Sequence, residues 1–583
     1  MTLQSPKIEA LLAEIRNLAL PDVWGEGALF AFSGLDGETN SGTGFVATFG
    51  AERYDLLFHT PERFVLEIRL RQEGAPYRDV VKVATGDVLI VETPDGLLCV
   101  TYAGWHTLVG LYPEGTHIEL KPLVWLDKDS ALWNSNEHDY LGISDGRFVF
   151  SYGATQEEAE TRGDAAWKLD VADVIRARLE SYAHLPKLPP GDDRLLKKCF
   201  SVMRVNTLAP EGIIAQMWST PDRVPHRRMW LWDSVFHSLA MNRFAPEVAA
   251  DFLFAVLDTQ RDDGMIPHFS GPDGRTSNIT QPPILAWGVW ENYKVLHNDA
   301  RLRKTLPKLE RYLEWNLQHR DQNHNHLLEW FSEGDPLCRS GESGLDNSPR
   351  FDEAILLDAV DFSTFQARDM ACVAQLWRAL GEPERAAVWD ERAAAMRNAI
   401  HALLWDDNSG FYYDRDFDGC LSPVMAVTGF LPLLLEDTPA DRVDRLVGHL
   451  KDPDTFNTAF PIPSVAVNDP RWSTDMWRGA TWINLNYLVI QGLRLHQRHA
   501  EADWLADLTI AHVGKYYERY GVLFEFFDAK DERPPTQCDR KGPHQDPYDI
   551  YRKMDSIRDY HWTAALTALL LLARNGIEWG ISD

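Results

Sequence analysis

The chain has 583 residues, 45% of them apolar and 25% charged, with a net charge of −29. That is enough for two or three cored domains and too apolar for disorder. The acidity argues against nucleic acid or an anionic membrane surface as partner, since phosphate recognition needs clustered positive charge, and it leaves a neutral or small substrate as the better fit. No uncharged apolar run is long enough to span a bilayer. Met1-Thr-Leu-Gln-Ser-Pro-Lys-Ile-Glu-Ala has neither the basic start nor the apolar core of a secretory signal, so cytoplasmic residence is expected. The cysteines, Cys99, Cys199, Cys338, Cys372, Cys420 and Cys538, show no C-x-x-C pairing and read as reduced thiols.

From about residue 26 to 152, β-branched and aromatic runs recur between turn signals. They fall at 54–59, 64–70, 87–93, 117–122 and 147–152. Pro94-Asp-Gly96, Asp145-Gly146 and Asp36-Gly37 each place a glycine where a positive φ is needed. This pattern predicts an antiparallel β-sandwich within residues 1–185. Leu185-Pro-Lys-Leu-Pro-Pro-Gly-Asp-Asp193 then breaks regular structure, and 186–193 is read as a linker.

Beyond it the apolar period becomes helical. Twelve amphipathic segments are predicted near 194–206, 233–241, 246–259, 283–296, 299–319, 363–380, 383–404, 429–435, 440–450, 481–499, 502–517 and 562–575. Polar-aromatic loops precede alternate helices: Arg227-Arg-Met-Trp-Leu-Trp-Asp233, Asn278-Ile-Thr-Gln-Pro-Pro283, the stretch 342–352, Trp477-Arg-Gly-Ala-Thr-Trp482, and Glu525 with His561-Trp562. In consecutive helical hairpins alternate loops lie at one end. Two concentric rings of six helices, an (α/α)6 barrel over 194–583, would bring these loops to one mouth.

Two of the loops carry carboxylates in aromatic surroundings: Gly341-Glu-Ser-Gly-Leu-Asp-Asn-Ser-Pro-Arg-Phe-Asp352 and Val522-Leu-Phe-Glu-Phe-Phe-Asp528. Opposed carboxylates are what glycosidic cleavage requires. The ordered set Trp232-Asp233, Gln260 with Gly264-Met-Ile-Pro-His268, Gln281-Pro-Pro283, Glu342 to Arg350, Trp477-Arg-Gly479 and Phe524 to Asp528 resembles glycoside hydrolase family 63, nearest the branch similar to mannosylglycerate hydrolase and bacterial α-glucosidases. The resemblance runs from about residue 194 to the C-terminus. It implies an (α/α)6 barrel and an inverting mechanism, with Asp346 as general acid and Glu525 as general base. Asp346 would then need a proton near neutral pH, for which Glu342 or Asp352 is the expected neighbouring carboxylate. Trp232, Asp233, Gln281, Glu342, Arg350, Trp477, Arg478, Trp482, His561 and Trp562 are the expected substrate contacts, and Trp230 and Trp287 are further stacking candidates.

No cofactor or metal is expected. Asp321-Gln-Asn-His-Asn-His326 has alternating oxygen ligands, but His326 stands where a calcium loop needs glycine, so a turn is predicted. The stretch 530–558, with Lys530, Arg533, Arg540, Lys541, Arg552, Lys553 and Arg558, is read as a lid whose basic residues face an anionic aglycone, or as a surface insertion. The leading reading is an inverting exo-acting hydrolase of a small α-glucoside or α-mannoside. Epimerisation by paired histidines from His237, His268 and His561, and a non-catalytic glycan-binding barrel, remain as alternatives.

Overall fold

In the computed structural model, residues 6–42, 45–50, 53–58, 64–70, 80–122, 138–353, 356–544 and 555–577 are described. Antiparallel sheets dominate the N-terminal part. One has five strands in the order Leu29–Phe30, Phe45–Gly50, Arg53–Phe58, Phe64–Arg69, His117–Pro122. The other has six, in the order Asp139–Ser144, Arg147–Tyr152, Thr107–Leu111, Gly96–Gly104, Val88–Thr93, Val80–Ala84. Asp145 (φ 48°) and Gly146 (φ 75°) make the tight turn between the first two of these, a conformation that asks for glycine or a short polar side chain. The sheets meet through Phe58, whose ring lies 5.4 Å from Phe150 and 4.7 Å from Tyr152. The back of the six-stranded sheet is covered by helices α1 (Pro6–Ile15), α2 (Gln156–Ala166) and α3 (Val171–Leu179). Val88 to Val91 are therefore all buried, with no polar alternation.

Every one of the twelve predicted helical segments is present, as α4 (Pro190–Val205), α5 (Leu231–Met241), α6 (Pro246–Leu257), α7 (Leu285–Leu296), α8 (Asp299–His319), α9 (Val360–Ala379), α10 (Pro383–Leu403), the 3-10 segment Val427–Leu434, α11 (Ala440–Lys451), α12 (Ile483–Leu495), α13 (His499–Tyr520) and α14 (His561–Arg574). Pro432 inside Val427–Leu434 removes a backbone donor, which suits the tighter turn. The 186–193 linker is corrected at its end: Pro190 occupies the first turn of α4, where a missing N–H costs nothing, so 190–193 are helical.

Packing forms a closed circuit. α5 lies on α7, α7 on α9, α9 on Val427–Leu434, that segment on α12, α12 on α14, and α14 back on α5. α5 is buried along its whole length, and α14 from His561 to Leu572, in keeping with sequences that are apolar or small all round. α6, α8, α10 and α13 cover this circuit with amphipathic faces. No described helix is long and apolar enough to cross a membrane.

α4 joins the sheets to the helices. It packs on α14, Ser201 accepts the Gly86 N–H at 2.6 Å, and Arg204 pairs with Asp87 (3.2 Å) and Asp36 (2.5 Å). Asp559, wholly buried, accepts from Leu29 N (2.8 Å), Leu523 N (3.0 Å) and Lys198 Nζ (2.9 Å), tying sheet, helix and the segment leading to Glu525 at one carboxylate.

Candidate active site

The polar-aromatic loops lie at the N-terminal ends of the circuit helices. Asp233 sits in the first turn of α5, while Gln281, just before α7, accepts the Trp232 N–H through Oε1 at 3.1 Å. The loop 341–352 is fixed on three sides. Gly344 (φ +73°) packs so closely under Trp232 that a Cβ there would lie 2.5 Å from the indole, which only glycine avoids. Asn347 accepts the Trp477 N–H (3.1 Å), and Arg478 reaches both oxygens of Asp352 (3.0 and 2.7 Å). Asp475 then accepts from Lys541 N (2.7 Å) and Gly542 N (3.3 Å), drawing the 539–542 segment against the same loops.

Asp346 and Glu525 are brought to this segment. Arg540 holds Glu525 bidentately, Nε to Oε2 at 2.8 Å and Nη2 to Oε1 at 3.1 Å, and the next residue, Lys541, places Nζ 2.6 Å from Asp346 Oδ2. Arg540 and Glu525 are buried; Asp346 and Lys541 are partly open. Glu525 is also tied to Ile557 through its own N–H (2.8 Å).

A third carboxylate shares the space. Burial pushes Asp233 well above the usual carboxylate range, a backbone hydrogen bond opposes this, and the fields of Asp222, Glu525 and Asp346 add to it. Its Oδ1 is inaccessible and has no partner among the described residues, so burial favours the neutral acid. Tyr560 is likewise pushed well above the ordinary phenol by burial and then by Asp233 and Glu525.

The expected neighbours of Asp346 are corrected. Glu342 is wholly buried and its oxygens are taken by Arg320 (2.8 and 3.0 Å), Phe331 N (2.7 Å) and Thr280 N (3.1 Å). Asp352 is engaged by Arg478. The group beside Asp346 is an ammonium and no carboxylate. Arg350 also turns inward, with four hydrogen bonds of 2.6–2.9 Å to Asp361 and Asp414. Glu342 and Arg350 have no capacity left for a substrate.

The tryptophans are corrected in the same way. Trp477 and Trp482 stack on each other at 3.6 Å, Trp482 meets Phe526 (4.9 Å) and Trp562 (5.7 Å), and Trp562 meets Trp232 (5.6 Å). All four indoles are buried. They form an aromatic floor beneath the carboxylates, so no broad face is offered to a sugar. Trp230, partly open and edge-on to His268 at 4.7 Å, is not part of this floor.

His561 and His237 stack face to face at 3.6 Å, both fully buried, with Nε2 of each unpartnered. Burial pushes His561 down to about 3 and His237 well below its ordinary value. Neither faces an opening.

A family profile described as "Mannosylglycerate hydrolase MGH1-like glycoside hydrolase domain" matches residues 225–563, which takes in every loop just described. The chain belongs to glycoside hydrolase family 63. An uncharacterized protein of Borreliella burgdorferi is 28% identical over 244 residues, 40% of this chain and 46% of that one, so the match spans less than half of that relative. The mannosylglycerate hydrolase of Thermus thermophilus is 28% identical over 373 residues, 50% of this chain and 88% of that one. A crystal structure of a family 63 mannosylglycerate hydrolase from Thermus thermophilus in complex with glucose aligns with TM-score 0.53 and 25% identity, over 65% of this chain and all of that one. A bacterial glucoamylase complexed with acarbose is 11% identical yet aligns over 96% of both chains, TM-score 0.52, a likeness of fold.

In this family 63 chain the stretch after Asp528 is part of the wall. Asp528 accepts from Lys530 N, Glu532 N and Arg533 N, and Arg540 is buried on Glu525. Arg552 and Lys553, also read as part of a lid, lie outside the described residues. Asp321 accepts from Asn325 N and His326 N, the predicted turn. The β part reaches the mouth through the segment ending at Gly42: Arg223 donates to Phe32 O, Val205 O and Asn40 O, and Arg227 to Gly42 O. Tyr560 and the Asp222–His226 pair (2.5 Å) carry no motif; their only signal is adjacency to Asp559-Tyr-His561 and to Arg227.

Proposed function

We propose that this chain is an inverting, exo-acting α-glycoside hydrolase, an (α/α)6 barrel over residues 194–583 with the β-sandwich of 1–185 as its buttress. The substrate is a small α-glucoside or α-mannoside with a short anionic aglycone. One observation carries the reading: Arg540 and Lys541, consecutive residues, hold Glu525 and Asp346.

Glu525 is the base. It takes a proton from a water whose oxygen attacks the anomeric carbon. Asp346 is the acid and gives its proton to the departing glycosidic oxygen. An inverting pair needs carboxyls roughly 6.5–9.5 Å apart to admit that water. Asp233, neutral by burial, donates to a sugar hydroxyl. Lys541, with its ammonium 2.6 Å from Asp346, offers a cation at the mouth to an anion on the aglycone. A carboxylate on the aglycone supplies that anion, as glycerate would, and the name of the Thermus thermophilus relative supports this class. The six free thiols, four of them buried, suit the cytoplasmic residence included in the proposal.

The test is hydrolysis of a panel of α-disaccharides and glycosylglycerates by wild type, Asp346→Asn and Glu525→Gln, with product anomers followed by NMR. Loss of turnover in both variants and initial release of the β-anomer are expected. Activity surviving both substitutions, or release of the α-anomer, overturns the assignment. Epimerisation is not favoured, because His237 and His561 are sealed against each other.

A further inference from the structure

Away from the catalytic loops, a cavity of about 590 Å³ lies among α7, α9, α10, α12 and the chain following Val427–Leu434. Its lining takes in the last turns of α9 and α12, whereas the catalytic carboxylates sit on loops that feed the helices' N-terminal ends. Arg494, which lines it, is twelve residues along α12 from Trp482, roughly 18 Å at the helical rise. The cavity is separate from the site described above.

Most of its charges are already matched. Arg378 pairs with Asp390, Arg397 with Asp437 (2.8 Å), and Glu291 with Lys294 (2.8 Å). The exposed Glu436 has no ion pair among the described residues, and neither has Arg368. It makes no hydrogen bond or ion pair among the described residues, and its Nη1 is inaccessible and unpartnered. The guanidinium lies over Trp287, 3.9 Å from the ring centre, a contact that restricts its orientation. Asp369, adjacent in sequence, makes no ion pair with it: its oxygens accept from Ala286 N (2.7 Å) and Trp287 N (3.0 Å), and burial pushes its carboxyl up to about 8 against the opposing field of Arg368. Burial also pulls the guanidinium of Arg368 below the ordinary arginine range, with Cys372, Glu291 and Asp369 acting weakly the other way. Arg494 adds a second cation, tied only to Asp503 at 3.4 Å. Gln375, Gln491 and Trp290 complete a wall of amide and indole groups.

A half-buried arginine without an anion, one guanidinium nitrogen sealed from solvent, stacked on an indole and facing an open cavity, is an incomplete ion pair. We propose that this cavity is a second ligand site, in which Arg368 receives the carboxylate or phosphate head of a small anion of sugar-acid or sugar-phosphate size. Gln375 and Gln491 take its hydroxyls and Trp290 its C–H face. The inference does not rest on the proposed hydrolysis.

The test is calorimetric and thermal-shift titration of the full chain with inorganic phosphate, glucose 6-phosphate and D-glycerate at matched ionic strength. Wild type, Arg368→Met, Arg368→Lys and Lys541→Met are compared. Saturable binding to wild type is expected, weakened at least about tenfold in Arg368→Met, weakened less in Arg368→Lys, which keeps charge without the fork, and retained in Lys541→Met. Binding by the phosphates alone or by D-glycerate alone identifies the head group. The unliganded Arg368→Met protein is expected to melt no lower than wild type, because an apolar side chain replaces an unpaired, half-buried charge. Two results overturn the proposal: no saturable binding of any of the three probes to wild type, or equal binding to wild type and Arg368→Met. A lowered melting temperature in unliganded Arg368→Met, with no probe stabilising wild type, would instead make Arg368 a packing residue.

Discussion

Replacing Arg350 by Met is the sharpest test of how the acid-bearing loop is held. The guanidinium makes four charge-assisted hydrogen bonds to Asp361 and Asp414, and all three side chains are buried. Removing one partner of such a cluster costs about 3–5 kcal/mol. The lower half of that range applies, because the carboxylates keep other donors: Trp330 Nε1 (2.9 Å) and Phe362 N (2.9 Å) on Asp361, and Val360 N (3.0 Å) on Asp414. At roughly 2 °C per kcal/mol for a large domain, the melting temperature should fall by about 6–8 °C. Calorimetry of Arg350→Met beside the triple variant Arg350→Met, Asp361→Asn, Asp414→Asn checks this, since neutralising the whole cluster should recover much of the loss. Steady-state kinetics below the transition should show a lower kcat, as Asp346 lies four residues away on the same loop. An unchanged melting temperature with a raised KM would mean that Arg350 reads the substrate, and the reasoning from burial would be wrong.

Arg540→Met removes two charge-assisted bonds from Glu525, and kcat should drop by roughly 10²–10³ with KM little changed; an unchanged kcat counts against Glu525 as base. Gly344→Ala forces a Cβ against Trp232 at φ +73°, and a loss of about 1–3 kcal/mol in chemical unfolding is expected; none would show that the loop gives way freely. Stability should depend on pH with opposed contributions. His561, pushed down to about 3 by burial, binds its proton only on unfolding, so its contribution is complete above pH 6.5 and falls by about 1.4 kcal/mol per pH unit as the pH drops toward 3. Asp369 and Glu329, pushed up to about 8 by burial, hold protons in the folded state, so their contribution is lost as pH rises from about 5 to 8. Denaturant midpoints of His561→Gln and wild type between pH 4 and 6.5 should differ in slope by about one proton; parallel curves would contradict the buried neutral histidine.

The helices were legible because their apolar positions recur with one period. The segment 299–319 is recovered at both ends, since Asn298 caps its first turn and Arg320 closes its last. Helices α2 and α3 and the strand Gly96–Gly104 were not legible. Gln156–Ala166 is charged with little apolar stripe, and Leu97 to Tyr102 is buried on both faces, so neither shows a period. At the site, the residue types could be read and their partners could not. Nothing local in Gly341 to Asp352 says that Glu342 turns to Arg320 while Asp346 turns to Lys541, because both partners arrive from distant chain. Trp477, Trp482 and Trp562 read equally as platform or floor, and only the packing of α12 against α14 decides.

Asp559 has a practical consequence for anyone trimming this protein. Cutting away the sheets would strip the Leu29 amide from a carboxylate that also anchors the approach to Glu525, leaving Lys198 and Leu523 to hold it at a newly wetted surface. A shortened gene product should therefore need a compensating change at position 559 before it can be judged for catalysis.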